Sequence, residues 1–482
     1  MAAPNILWVC TDQQRWDTLG CYDNEFVRTP VADRLAEEGV IFDLCFSQSP
    51  VCTPSRASFL TGRYPRTCRG RQNGADIPAD ELLVTKVLAD AGYTCGLAGK
   101  LHISACHPSV QPHTERRIDD GYAVFHWSHH SGLDWASNDY GLWLKEKGVD
   151  YEPYPYEGSS HVDAGYPAEH HHTTWCVEKA MAFMQSAVDY DNPWLFSVNI
   201  YDPHHSFNPP VEYLQRYLDN LDDIPLPNYV EGELHDKGPF QQIDNTEGGY
   251  NGMGSQFRQG EMTDRDHRLA RAAYLAMCDL VDDQIARLLE TLKATGQAEN
   301  TLVIFTSDHG EMLGDHGIYW KGPYFYEPAV RVPLIIKLPG AIEAGRRSQA
   351  LIELSDLAPT LLDAAGVDIP PGMQTRSFWP LLTGETDLHE HRDDVYSEYY
   401  NAMPWHRDPT AQVTMVRTRR HKIVAVHGTG TGELYDLEAD PDETNNLWND
   451  PASRELKLAM YERLADRMAF TVDPLPVRQA DW

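Results

Sequence analysis

The sequence is short of positive charge. Forty Lys and Arg stand against 72 Asp and Glu, a formal charge of −32, with no long basic run to offset it. Phosphate backbones are held by Lys and Arg, so nucleic acid is not an expected partner, and an anionic membrane surface is disfavoured. An anionic small molecule stays admissible where a few cations and a metal reverse the sign locally. No run approaches the length of a transmembrane helix. The opening stretch from Met1 to Asp12 has neither a charged leader nor a cleavable apolar segment and reads as a core strand, so the expected compartment is the cytoplasm. The nine cysteines contain no CxxC pair, which argues against a zinc ribbon or a disulfide framework and predicts mostly buried, reduced thiols. Repeats and low-complexity tracts are also missing.

What is present is ordinary globular composition, 42% hydrophobic and 23% charged over 482 residues. The apolar run 5–11 predicts a buried strand ending at Asp12. Helices are expected over 30–40, over 55–61 with Pro54 in the first turn and Gly62 beyond the end, and over 84–91. A strand at 93–98 leads into Gly99-Lys100-Leu101-His102. Residues 103–170 and 206–263 read as long loops that shape a site mouth. Between them come a helix at 173–187 and a strand at 194–200. An amphipathic helix over 266–294 feeds a strand at 301–306. This alternation predicts an α/β fold, a large mainly parallel sheet between helices. Beyond 385 the segments 412–418, 422–427 and 433–436 predict a small antiparallel sheet, closed by a helix at 452–469. The expected division is a catalytic domain over 1–385 and an α+β subdomain over 386–482.

Ligands of open parallel sheets bind beyond the carboxyl ends of the strands. Four segments place polar groups there: Asp12-Gln13, Lys100 with His102, His204-His205, and Asp308-His309. One such residue is usually a turn former; four converging on one edge predict a site. Asp12 and Asp308 are hard oxygen ligands that Gln13 and His309 can complete into a divalent metal site, ringed by Lys100, His102, His204 and Lys321. Metal plus cations suits a tetrahedral oxyanion ester undergoing in-line displacement.

Residues 50–62 read Pro-Val-Cys52-Thr-Pro-Ser-Arg56-Ala-Ser-Phe-Leu-Thr-Gly. This resembles the signature of the type I, formylglycine-dependent sulfatases of the alkaline phosphatase superfamily. Gly92-Tyr93-Thr94, continuing to Gly99-Lys100-Leu101-His102, resembles a second block, with Leu101 a departure from it. The run Asp308-His309-Gly-Glu-Met-Leu-Gly-Asp-His316 with Lys321, the segment Pro203-His204 with Phe207, and Leu434-Tyr435-Asp436 resemble three more, in family order. Asp12-Gln13 and Asp308-His309 replace the Asp-Asp and Asp-Asn of many members, variants shared with bacterial members and with phosphonate monoester hydrolases.

The resemblance implies that a maturation enzyme reads Cys-x-Pro-x-Arg and oxidises Cys52 to formylglycine, whose hydrate attacks sulfur beside one divalent ion. Calcium is the ion it implies, with manganese left open by His309, and Asp12, Gln13, residue 52, Asp308 and His309 are the implied ligands. Lys100 and Arg56 would hold sulfate oxygens, Lys321 and His204 would serve the leaving alcohol, and His102 would take the proton that releases sulfate. The Lys100–His102 pair points to sulfate esters, aryl or small alkyl such as choline sulfate. A phosphonate or phosphate diester hydrolase is the competing reading. A binding protein with a vestigial site is a third, opposed by the intact nucleophile and carboxylates. A homodimer or homotetramer is expected. Asn73 and the aromatic segments 121–140, Tyr399-Tyr400 and Trp405-His406 are candidate pocket walls, and His316 reads equally as structural.

Overall fold

The computed structural model describes residues 3–130, 132, 137–408, 410–475 and 480. The eight longer strands of the large sheet are β1 Asn5–Thr11, β2 Val40–Phe46, β3 Thr94–Gly99, β4 Tyr122–Trp127, β5 Trp194–Asn199, β6 Thr301–Ser307, β7 Leu334–Lys337 and β8 Arg346–Glu353. They run in the order β8-β2-β7-β6-β1-β5-β3-β4, and Arg331–Val332 pairs onto β2 as a short ninth strand. Only β7 and that short strand run against their neighbours. The sheet is therefore mainly parallel.

Helices cover both faces because the inner strands are apolar on both. On β1, Ile6, Trp8 and Cys10 enter one core with α2 Cys52–Thr61, α3 Val84–Asp90 and α6 Leu357–Ala365. Leu7 and Val9 alternate into the other, with α1 Pro30–Glu37, α4 His172–Ser186 and α5 Asp264–Ala294. That period of two is the strand signature realised on both sides. A second sheet, β9 Asp394–Tyr400, β10 Gln412–Thr418, β11 His421–Val426 and β12 Thr431–Asp436, is antiparallel throughout. The helix α7 Arg454–Phe470 packs Met460 and Leu464 onto it. The Glu398 N–H bonds Gln48 O at 3.0 Å, and Arg66 pairs with Glu398 at 2.6 Å, so this sheet docks beside the segment that leads into α2.

Among the boundaries that differ from expectation, three have a clear physical reason. α1 stops at Glu37, and the apolar run from Val40 is a strand, not the end of a helix. α2 begins at Cys52 instead of Ser55, since Pro54 within the first turn needs no N–H partner. α5 starts at Asp264 because Thr263 and Asp266 form a capping box.

One glycine positions the site. Gly99 closes β3 with φ +106°, and a Cβ there would lie 1.9 Å from Asn199 O. Gly99→Ala is expected to cost about 2–4 kcal/mol through backbone strain and overpacking. It should lower the melting temperature and displace Lys100, with a matching loss of rate.

Candidate active site

The four predicted strand ends are neighbours in space. β6, β1, β5 and β3 lie side by side, with Thr11 level with Ser307 and Gly99 level with Asn199. The chain therefore delivers Asp308, Asp12 and Lys100 to one edge, with His204 and His205 beyond β5. α2 brings Cys52 to the same place as its first residue, behind an extended Val51. The Thr53 N–H, free in a helix's first turn, donates to Asn73 Oδ1 at 3.0 Å. Asn73 thus braces the first turn of α2.

Cys52 is 1% exposed. Its Sγ lies 2.9 Å from Lys321 Nζ, 3.1 Å from His309 Nε2, 3.6 Å from Lys100 Nζ and 3.7 Å from Asp12 Oδ1. Burial and the Asp12 carboxylate push its thiol up, but Lys100, Lys321 and His309 prevail and bring it below the usual cysteine value. Burial would also raise the Asp12 carboxyl. Lys100, which touches Asp12 Oδ2, with Arg56 and Lys321 holds it far below the usual range. A negatively charged atom at position 52 is welcome here.

Arg56 faces the carboxylates. Its Nε pairs with Asp308 Oδ2 at 2.8 Å, its Nη2 with Asp12 Oδ2 at 3.3 Å, and its Nη1 donates to Lys100 O at 2.9 Å. One guanidinium ties three of the four segments together, and its donors are turned to these partners.

Lys321 Nζ reaches Gln13 Oε1 at 2.6 Å and His204 Nε2 at 3.0 Å. An ammonium only donates, so His204 Nε2 accepts, which puts the ring's proton on Nδ1, 2.5 Å from the His205 carbonyl. Burial, then Lys321, keeps His204 well below the ordinary histidine value. His205 stacks on Trp320 at 4.2 Å and lies 3.3 Å from Gln13 Nε2. Burial, then Lys100, likewise keeps His102 neutral.

The other candidates divide. Trp405 stacks on Tyr250 at 4.7 Å, and Tyr250 meets Trp320 at a tilt of 48°, extending the wall beside His205. Tyr399 accepts from the Met403 N–H, and His406 sits on Asp244 at 3.1 Å. His316 lies 2.9 Å from Glu233 and over Tyr326, a structural contact. Of 121–140, β4 takes 122–127, while 131 and 133–136 lie outside the described residues. Glu311 lies within the Asp308–His316 motif. Its carboxylate accepts from Gln13 Nε2, the Leu313 N–H and the Trp320 N–H, which fixes both Gln13 and the turn before Lys321.

The residues fit a divalent metal. Asp12, Cys52, Asp308 and His309 each offer a donor atom within 4.8 Å of the others. His309 Nδ1 lies 2.8 Å from Gly310 O, and that hydrogen bond leaves the Nε2 lone pair facing the cluster. Three basic side chains against two carboxylates, plus such an ion, leave an excess of positive charge for a tetrahedral oxyanion.

A family model described as Sulfatase matches residues 4–367. The chain belongs to the sulfatase family. A model of the N-sulphoglucosamine sulphohydrolase C-terminal region matches residues 314–469 of this sulfatase. It is 30% identical to an arylsulfatase of Clostridium perfringens, over 94% of this chain and 92% of that protein. It is 27% identical to an N-acetylglucosamine-6-O-sulfatase of Bacteroides thetaiotaomicron, over 92% and 82%. A solved phosphonate monoester hydrolase from Silicibacter pomeroyi superposes with TM-score 0.85 at 27% identity, over 98% of this chain and 96% of that one. Sulfuric ester hydrolysis is the chemistry of this enzyme.

Proposed function

We propose that this sulfatase cleaves the monoester of an aryl or small alkyl alcohol, using formylglycine made from Cys52 and a divalent ion held by Asp12, Gln13, Asp308, His309 and the residue-52 oxygen. The position of Cys52 carries the reading: its Sγ touches Lys321, His309, Lys100 and Asp12 at once. The ion supplies Lewis-acid chemistry; calcium follows from family resemblance, and the His309 nitrogen suits manganese.

The chain's own residues divide the remaining work. Lys100, anchored on Asp12, binds a sulfate oxygen. Arg56 holds both carboxylates in place and acts as a positioning residue. Lys321 is the proton source for the departing alcohol, and neutral His204 orients it through Nε2. His102, kept neutral, accepts the proton whose removal releases sulfate. Because Cys52 and Arg56 are each 1% exposed, the maturation enzyme must read this pentapeptide before α2 docks. The cysteines are all free, seven of them buried, which supports a reducing compartment such as the cytoplasm. Assembly as a dimer or tetramer belongs to the same proposal and is read by light scattering.

The phosphonate monoester hydrolase neighbour supports a second reading, cleavage of phosphonate monoesters with the same residues. Matched 4-nitrophenyl sulfate and 4-nitrophenyl phenylphosphonate separate the two. The sulfate is expected to give the higher kcat/KM; a higher value for the phosphonate reverses the assignment. The pH profile tests His102 separately. It must be neutral to act, and burial with Lys100 lowers its pKa. The acid limb of kcat/KM assigned to it should therefore fall below the ordinary histidine value of about 6.5, and His102→Gln should remove that limb.

A further inference from the structure

Next to the sulfatase centre, three donors that no part of the reaction uses together converge. One ligand atom from each of His102, Cys106 and His129 lies within 4.8 Å of the other two. They come from two strand ends. His102 leaves β3 in a left-handed conformation, φ 55°, Cys106 follows four residues on, and His129 lies just past β4.

Glu115 holds them in register. Its carboxylate accepts from the His102 N–H at 2.8 Å, the Ile103 N–H at 3.0 Å, Trp127 Nε1 at 3.0 Å and Cys106 Sγ at 3.5 Å. All four donors are neutral, so this buried carboxylate gains from a cation nearby. A second observation is independent of the first. His102 Nδ1 is buried with no hydrogen-bond partner among the described residues, a cost that a metal bond would remove. The His102 and His129 rings meet edge to face at 4.4 Å.

We propose that His102, Cys106 and His129 form a second cation site, for a thiolate- and imidazole-seeking divalent ion such as Zn2+, which switches the sulfatase off by occupying His102. Two imidazoles and one thiolate are a zinc donor set and a poor calcium one. Binding forms one metal–sulfur and two metal–nitrogen bonds, the thiol proton leaves to solvent, and water or Glu115 takes the fourth position. The inhibitory consequence rests on the reading of His102 as proton acceptor; the site itself does not.

The test uses the full-length enzyme loaded with its catalytic ion. Co2+ as spectroscopic probe is expected to give a thiolate-to-cobalt charge-transfer absorption, and Zn2+ to bind one further equivalent and suppress turnover. Cys106→Ser and His129→Gln, checked for an unchanged melting temperature, should lose the absorption and weaken Zn2+ binding about tenfold or more. Equal absorption and equal Zn2+ affinity in wild type and Cys106→Ser would overturn the site. Zn2+ binding that depends on Cys106 yet leaves turnover intact keeps the site and removes His102 as proton acceptor.

Discussion

Cys52→Ala is expected to abolish turnover, by about 10⁵-fold or more, while the protein stays folded. The loss should be near total because every group around position 52 is arranged to serve an atom there. Lys321, His309, Lys100 and Asp12 all lie within 3.7 Å of Sγ, so with alanine they address nothing. The fold should survive, since removing one sulfur from the first turn of α2 costs on the order of 1 kcal/mol. The helix keeps its Asn73 brace and its Arg56 ties to Asp12 and Asp308. Steady-state rates with an aryl sulfate, beside a thermal melt, measure both halves. Intact-mass analysis of wild type from a native host should show residue 52 converted, and full activity in the alanine variant would sink the mechanism.

The site was legible in the sequence to the extent that it is local. Asp12, Lys100 and Asp308 each follow a short apolar run that reads as a strand, and parallel order alone sends them to one edge. Partner choice was not legible. Arg56 was expected on the substrate; its bond to Asp308, 252 residues away, exists only once α2 docks. Lys321 meeting His204 depends on the Trp320 turn that Glu311 fixes. In the fold, Val40–Phe46 escaped because a strand buried on both faces lacks alternation and extends an apolar helix pattern. β7, four residues long and antiparallel within a parallel sheet, offers too little period to read. Cys106 and His129 lie in loops without periodicity, so the sequence shows His129 only as part of the candidate wall 121–140 and gives no sign that either stands beside His102.

Asp12→Asn is expected to act on metal, rate and stability together. The substitution keeps shape and removes the charge that faces Lys100 and Arg56 in a site closed to water. Metal content should fall, and turnover with it by about 10³-fold or more, the several kcal/mol that Lewis-acid stabilisation supplies. Stability should fall as well, because two buried cations lose a partner; breaking such a pair costs about 3–5 kcal/mol. The pH dependence separates this from a packing defect. The Asp12 pKa is depressed in the fold, so its contribution is fully present above the unfolded value of about 3.9 and is lost only as pH falls from there towards the folded value. The stability gap between wild type and variant, measured on metal-free protein, should therefore be constant near neutrality and close on acidification. A gap unchanged down to strongly acidic pH would mean that asparagine merely packs badly, and a variant with full metal content and full rate would remove Asp12 from the metal site.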